Sequence, residues 1–175
     1  MHNSLLLIAT ALLAGCADPE PGAVVETVAL VDAEAWVLLE GDDDPWQDGD
    51  PEADCSVYGY GAEGSHFEVE TELCAYGTFA QPSLHAVSKG DTLSVVVWHV
   101  DLFSEDPDAE GHVAVTIDGD TLLEQTIPIP AEAEVYEVVE AAPRDMAKGE
   151  IIHFHVHNHG SNAWAIGAVE AETLP

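Results

Sequence analysis

The stretch 151–169, IIHFHVHNHGSNAWAIGAV, limits the fold of this chain more than any other. His153, His155, His157 and His159 fall on every second residue, and Ile152, Phe154 and Val156 fall between them. A strand turns successive side chains to opposite faces, so this segment predicts a strand with one apolar face and one face of imidazoles. Gly160, Ser161 and Asn162 are turn formers, and Trp164, Ile166 and Ala168 open a second alternating run. The pattern reads as a hairpin with a core-facing side and a histidine-bearing side.

The same period recurs along the chain. Phe67, Val69, Thr71 and Leu73 alternate with His66, Glu68, Glu70 and Glu72, which marks a half-buried strand over 66–74. Residues 92–100, TLSVVVWHV, are nearly continuously apolar and suit a central strand. Strands at 112–117 and 121–127 flank Asp118-Gly119-Asp120, a hairpin signal. Shorter strands are expected at 33–40, 84–87 and 134–139, and one helical turn at 142–148, closed by Gly149. Residues 41–54 read as an acidic, turn-rich loop. About nine short strands and no long amphipathic helix predict an all-β protein, an antiparallel β-sandwich of jelly-roll-like form. No internal repeat or second domain is visible in the 175 residues.

Charge excludes some partners. Thirty-four acids face three bases, Lys89, Arg144 and Lys148, for a formal net charge of −31. Such a surface repels phosphates and anionic headgroups, so nucleic acid is not an expected partner, while cations are attracted. This acid-rich, lysine-poor balance resembles that of proteins from saline habitats.

The N-terminus reads as a targeting segment. Residues 5–13, LLLIATALL, are too few for a membrane span and enough for a signal sequence. They end in Leu13-Ala14-Gly15-Cys16, which resembles the lipobox of bacterial lipoproteins. The resemblance implies cleavage before Cys16 and lipidation (palmitate among the acyl groups) of that cysteine. The expected organisation is a signal peptide at 1–15, a lipid-anchored tether at 16–32 and the sandwich at 33–175. No Lys or Arg precedes the apolar run, a departure from the usual signal. Ala17 stands where lipoproteins retained at the inner membrane often carry Asp, so the outer membrane or cell surface is the expected location. Cys55 and Cys74 then remain as an even pair in an exported chain and are expected to form a disulfide.

The histidines are candidate metal ligands. His-x-His on a strand places two rings on one face about 6.8 Å apart at Cα, close enough to share an ion. The ladder as a whole spans about 20 Å, so a closed site needs ligands from neighbouring strands. His112 and His99 are the candidates for that role, with zinc or copper as the metal. The segment Phe154-His155-Val156-His157-Asn158-His159-Gly160 resembles the copper-ligand signature of copper–zinc superoxide dismutases, which implies His155 and His157 as copper ligands on a β-sandwich. In that family a further ligand His and a catalytic Arg follow the motif, whereas residues 161–175 hold no His, Arg or Lys. Superoxide chemistry is therefore a remote alternative.

Other readings compete. A strongly negative field favours protonated imidazole, so a ladder facing Glu68, Glu70 and Glu72 balances charge without a ligand. The loop 42–54 faintly resembles calcium loops but lacks their spacing, and a solvated acidic loop is expected. Cupins pair His-x-His with a nearby Glu, and no acid follows His159 before Glu170. No G-x-S-x-G, H-E-x-x-H or phosphate-cradling loop occurs, so the expected role is binding or structural, not enzymatic. A sandwich face bearing Trp98, Trp164, Asn158 and Asn162 makes carbohydrate the alternative ligand.

Overall fold

A computed structural model describes residues 25–46 and 55–173. Cys16 and the targeting segment lie outside them, as do Asp48, Asp50 and Asp54 of the acidic loop. The described chain is two antiparallel sheets packed face to face, as expected for an antiparallel β-sandwich. The front sheet has five strands in the order β2 (Val37–Leu38), β5 (Tyr76–Pro82), β10 (Ile151–Asn158), β7 (Glu110–Ile117) and β8 (Asp120–Pro128). The back sheet runs β3 (Tyr60–Glu63), β4 (His66–Glu70), β11 (Ala163–Thr173), β6 (Thr92–His99) and β9 (Glu134–Ala141), with β1 (Glu26–Ala29) added on β11. No helix among the described residues is long and apolar enough to cross a membrane.

The core follows from alternation. Ile152, Phe154 and Val156 point inward from β10, and Trp164, Ile166 and Val169 point inward from β11. These two strands do not form the expected hairpin. β10 pairs with β5 and β7 in the front sheet, whereas β11 pairs with β4 and β6 in the back sheet. Residues 159–162 therefore carry the chain across the sandwich. The reason is energetic: each strand has one apolar face, and placing the strands in opposite sheets lets both faces bury against each other. The hairpin at Asp118-Gly119 does form, with both residues at positive φ (46° and 87°) as a tight turn of this hand requires.

Other expectations are corrected. The tether boundary at residue 32 falls too late, because β1 pairs with β11 and Leu30 is fully buried. The strand expected over 33–40 is only Val37–Leu38, since Ala35 and Asp32 form a turn before it. Residues 84–87 and 142–148 form neither strand nor helical turn; they are joined by a bridge between Val87 and Met146. β5 went unpredicted because Gly77, Phe79 and Gln81 do not form a visibly apolar face; Gln81 points inward and bonds the backbone of Asp32. Cys55 and Cys74 are disulfide-bonded, as expected, joining the start of the β3–β4 hairpin to the chain entering β5.

Candidate functional site

The outer face of the front sheet carries the histidines in ordered rows. Tyr76, His157, His112 and Thr126 lie side by side across β5, β10, β7 and β8. The next row is Thr78, His155, Ala114 and Glu124, and the row beyond holds Ala80, His153 and Thr116. His112 thus faces the ladder from an adjacent strand, as its position in the sequence suggests. His99 does not. It points into the core from the back sheet, packs on Trp164 with ring centroids 4.7 Å apart, and bonds the Val100 carbonyl and the Tyr136 hydroxyl. It leaves the ligand set because β6 is in the opposite sheet.

The ladder divides into three environments. His155 is fully buried although it points away from the core. Trp46 covers it, stacked at 4.8 Å with planes 12° apart. Asp44 holds that cover in place: one carboxylate oxygen accepts from the Trp46 amide at 2.9 Å and the other from the Tyr76 hydroxyl at 2.7 Å. Tyr76 also donates to the Trp46 carbonyl and packs edge-on against His155. The Thr78 hydroxyl lies 2.8 Å from Nδ1 of His155, while Nε2 is buried and has no hydrogen-bond partner among the described residues. Burial, reinforced by neighbouring His112, depresses the His155 pKa to about 3, so the ring is neutral at physiological pH.

His153 is half-buried, near Thr116 (3.3 Å) and edge-on to Trp46. Its pKa is lowered by burial, against the opposing pull of Asp44 and Asp118. His157 and His159 form the third environment. Their Nε2 atoms are 2.9 Å apart. With His112 they line an open basin of about 430 Å³, whose other walls include Asp106, Asp108 and Glu110. Nε2 of His112 is 3.0 Å from Glu124. The structure therefore brings His157 to His159, and sets His155 behind them under Trp46. No group of three or more His, Cys, Asp or Glu among the described residues closes around a single point where a metal ion could sit.

The carboxylates facing the ladder are also not the expected ones. Glu68 and Glu70 are on β4 in the back sheet, and Glu72 is in the turn after it. Glu124 and Asp44 take their place, brought in by cross-strand register and by the cover. Sequence reasoning missed Trp46, Thr78 and Glu124, since nothing local links them to His155 and His112. A lone Trp inside an acidic loop was the only available hint.

The back sheet presents a different face. Gly61, Glu68, Ala165, Trp98 and Val135 lie in one row across β3, β4, β11, β6 and β9. Trp98 lies on the sheet over Gly167, where any Cβ would overlap its six-membered ring. His66 is edge-on to that ring at 5.0 Å, and its Nε2 is 3.9 Å from Glu68. Burial first, then Glu70 and Glu63 nearby, raise the Glu68 pKa. Of the four side chains expected to hold a sugar, only Trp98 is on a face. Trp164 and Asn158 are fully buried and Asn162 nearly so. The two asparagines bond Thr71 and the Phe103 backbone beneath the 159–162 crossing.

No protein-family model and no curated protein matches this chain. Solved structures similar to it include one described as "CBM4 structure and function", at 14% identity over 85% of this chain and 95% of that one, with a TM-score of 0.42. The C-terminal CBM6 of LamC, a marine laminarinase of Zobellia galactanivorans, gives 10% identity over 85% and 100%, with a TM-score of 0.44. The K3 cleaved adhesin domain of Lys-gingipain from Porphyromonas gingivalis gives 15% over 85% and 100%, with a TM-score of 0.46. With scores this low, the likenesses carry no functional argument.

Proposed function

We propose that this chain is an exported, lipid-anchored, non-catalytic binding module that holds a carbohydrate on the outer face of its back sheet. The observation that carries the reading is Trp98 lying on that face beside His66 and Glu68. An indole on a sheet offers a polarised surface to the C–H groups of a sugar ring, while a neighbouring carboxylate and imidazole bond its hydroxyls. Val96 and Val135, on the same face, extend the apolar strip to β9. The net charge of −31 selects among sugars. Neutral and amino sugars fit this face, whereas sulfated and uronic polymers are repelled. Anchoring rests on the lipobox ending at Cys16.

The test is a glycan array read with wild type and Trp98→Ala. Retention on neutral or amino glycans, lost in the variant while the sandwich stays folded, is the expected result. Wild type that binds none of them refutes the reading. Cys16→Ala should release the protein from membranes; a wild type that fails to partition into a detergent phase removes the anchor.

A further inference from the structure

We infer that His157, His159 and His112 form a binding site for one divalent transition-metal ion of the zinc or copper class, in the basin at one end of the front sheet. The site lies on the opposite sheet from the carbohydrate face and does not depend on it.

The pairing of His157 and His159 carries the inference. Their Nε2 atoms meet at 2.9 Å. Two imidazole nitrogens bound at about 2.05 Å to one tetrahedral ion stand roughly 3.3 Å apart, so admitting the ion requires an opening of only a few tenths of an ångström. Without metal, one neutral ring donates to the other. With metal, both Nε2 lone pairs face the ion and the shared proton moves to Nδ1 of the donor ring. No net proton release is needed beyond that tautomer change.

The third ligand is His112, level with His157 on the neighbouring strand and on the wall of the same basin. Its Nε2 lies 3.0 Å from Glu124. A carboxylate there holds the proton on Nε2, leaving Nδ1 with the lone pair, an outer partnership that commonly orients a metal-bound imidazole. Because these three rings do not yet surround one point, the ion itself must draw His112 the last distance. Asp106, Asp108 and Glu110 on the basin wall raise the local cation concentration, and one of them or a water completes the coordination. Imidazole nitrogens exclude Ca²⁺ and Mg²⁺ as preferred occupants, because those ions take oxygen ligands. His155 is not a ligand here; stacked beneath Trp46, it packs 5.2 Å from His112 and backs that ring from behind.

The experiment must separate a site from the ion atmosphere of an acidic protein. Full-length protein extracted in detergent is dialysed against Zn²⁺, and separately Cu²⁺, in about 0.5 M NaCl with excess Ca²⁺, which screens and competes away diffuse binding. One ion per chain is expected, with affinity falling on the order of tenfold or more in His157→Ala, His159→Ala and His112→Ala. Exposed His85→Ala and the carbohydrate-face variant Trp98→Ala should bind as wild type does. Near-UV circular dichroism establishes that each variant is folded, and His157→Gln is the substitute where alanine fails that check. Bound Cu²⁺ should show nitrogen hyperfine splitting in its paramagnetic resonance spectrum. Absence of saturable uptake by wild type at high salt overturns the inference, as does unchanged uptake by the folded His157 and His159 variants.

Discussion

The two outer faces of this sandwich start from the same alternation, and each pushes one ionisable group toward its neutral form, with opposite consequences for stability against pH. On the front sheet a histidine is covered by Trp46 and loses its charge; on the back sheet a glutamate is crowded beside Trp98 and resists losing its proton. The lesson is that a strand's outward positions are not equivalent to solvent positions. What lies over them decides. His155 points outward yet is fully buried, because Asp44 and Tyr76 pin the loop end above it. Trp98 points outward and stays half-exposed, lying on the sheet over Gly167 with His66 at its edge.

One large test of this contrast is the covalent link at the junction of the two sheets. Reduction of Cys55–Cys74 opens a loop of about twenty residues and should cost about 3 kcal/mol on the chain-entropy model, read by denaturant unfolding. The closed loop contains β3 and β4, so hydrogen exchange should rise more around His66 and Glu68 than around His155. Equal loosening of both sheets would show that the bridge is not local to the Trp98 face.

Removing the cover comes next. Trp46→Ala should destabilise by about 2 kcal/mol through lost ring packing, and should bring the His155 pKa up from about 3 toward its ordinary value, measured by NMR titration. A ring that remains unprotonated near pH 5 in that variant would show that the strand alone desolvates it.

Acid separates the faces by sign. Unfolded, His155 takes a proton near pH 6.5; folded, it does so only near 3. Between these values the unfolded state binds more protons, so stability from this group falls as pH drops, by up to about 1.4 kcal/mol per pH unit. Glu68 acts the other way: its raised pKa means the folded state binds more protons, so its ionisation costs stability as pH rises through the carboxylate range and relief comes on acidification. His155→Phe should flatten the loss of stability between pH 6.5 and 4, and Glu68→Gln should steepen it slightly at the acid end by removing the opposing contribution. Identical profiles for His155→Phe and wild type would mean the ring is solvated.

The smallest effect belongs to Trp98→Ala, at about 1 kcal/mol, because its ring is only partly buried on the sheet face. A loss equal to that of Trp46→Ala would make Trp98 a structural cover instead of a binding surface.

Much of this was already legible in the residues. The period-two runs at Phe67 and Val69, Leu93 to Val97 and Ile152 to Val156 fixed the strands and the faces they bury, because side-chain direction alternates whatever the partner. Asp118-Gly119 fixed its turn because few residues accept positive φ. The even cysteine pair suggested its own bridge. Partners were not legible. No local signal tells whether Gly160 and its neighbours reverse the chain within a sheet or carry it across to the other, and that choice moved Glu68 away from the histidines and His99 into the core. Nor does any pattern show that residue 46 will lie on residue 155. Alternation is a property of the backbone, set residue by residue, whereas pairing and cover are decided by which apolar surfaces bury one another across more than a hundred residues of chain. That is why the sequence by itself determined the histidine ladder, and only the tertiary structure decided that His155 is sealed while His157 meets His159.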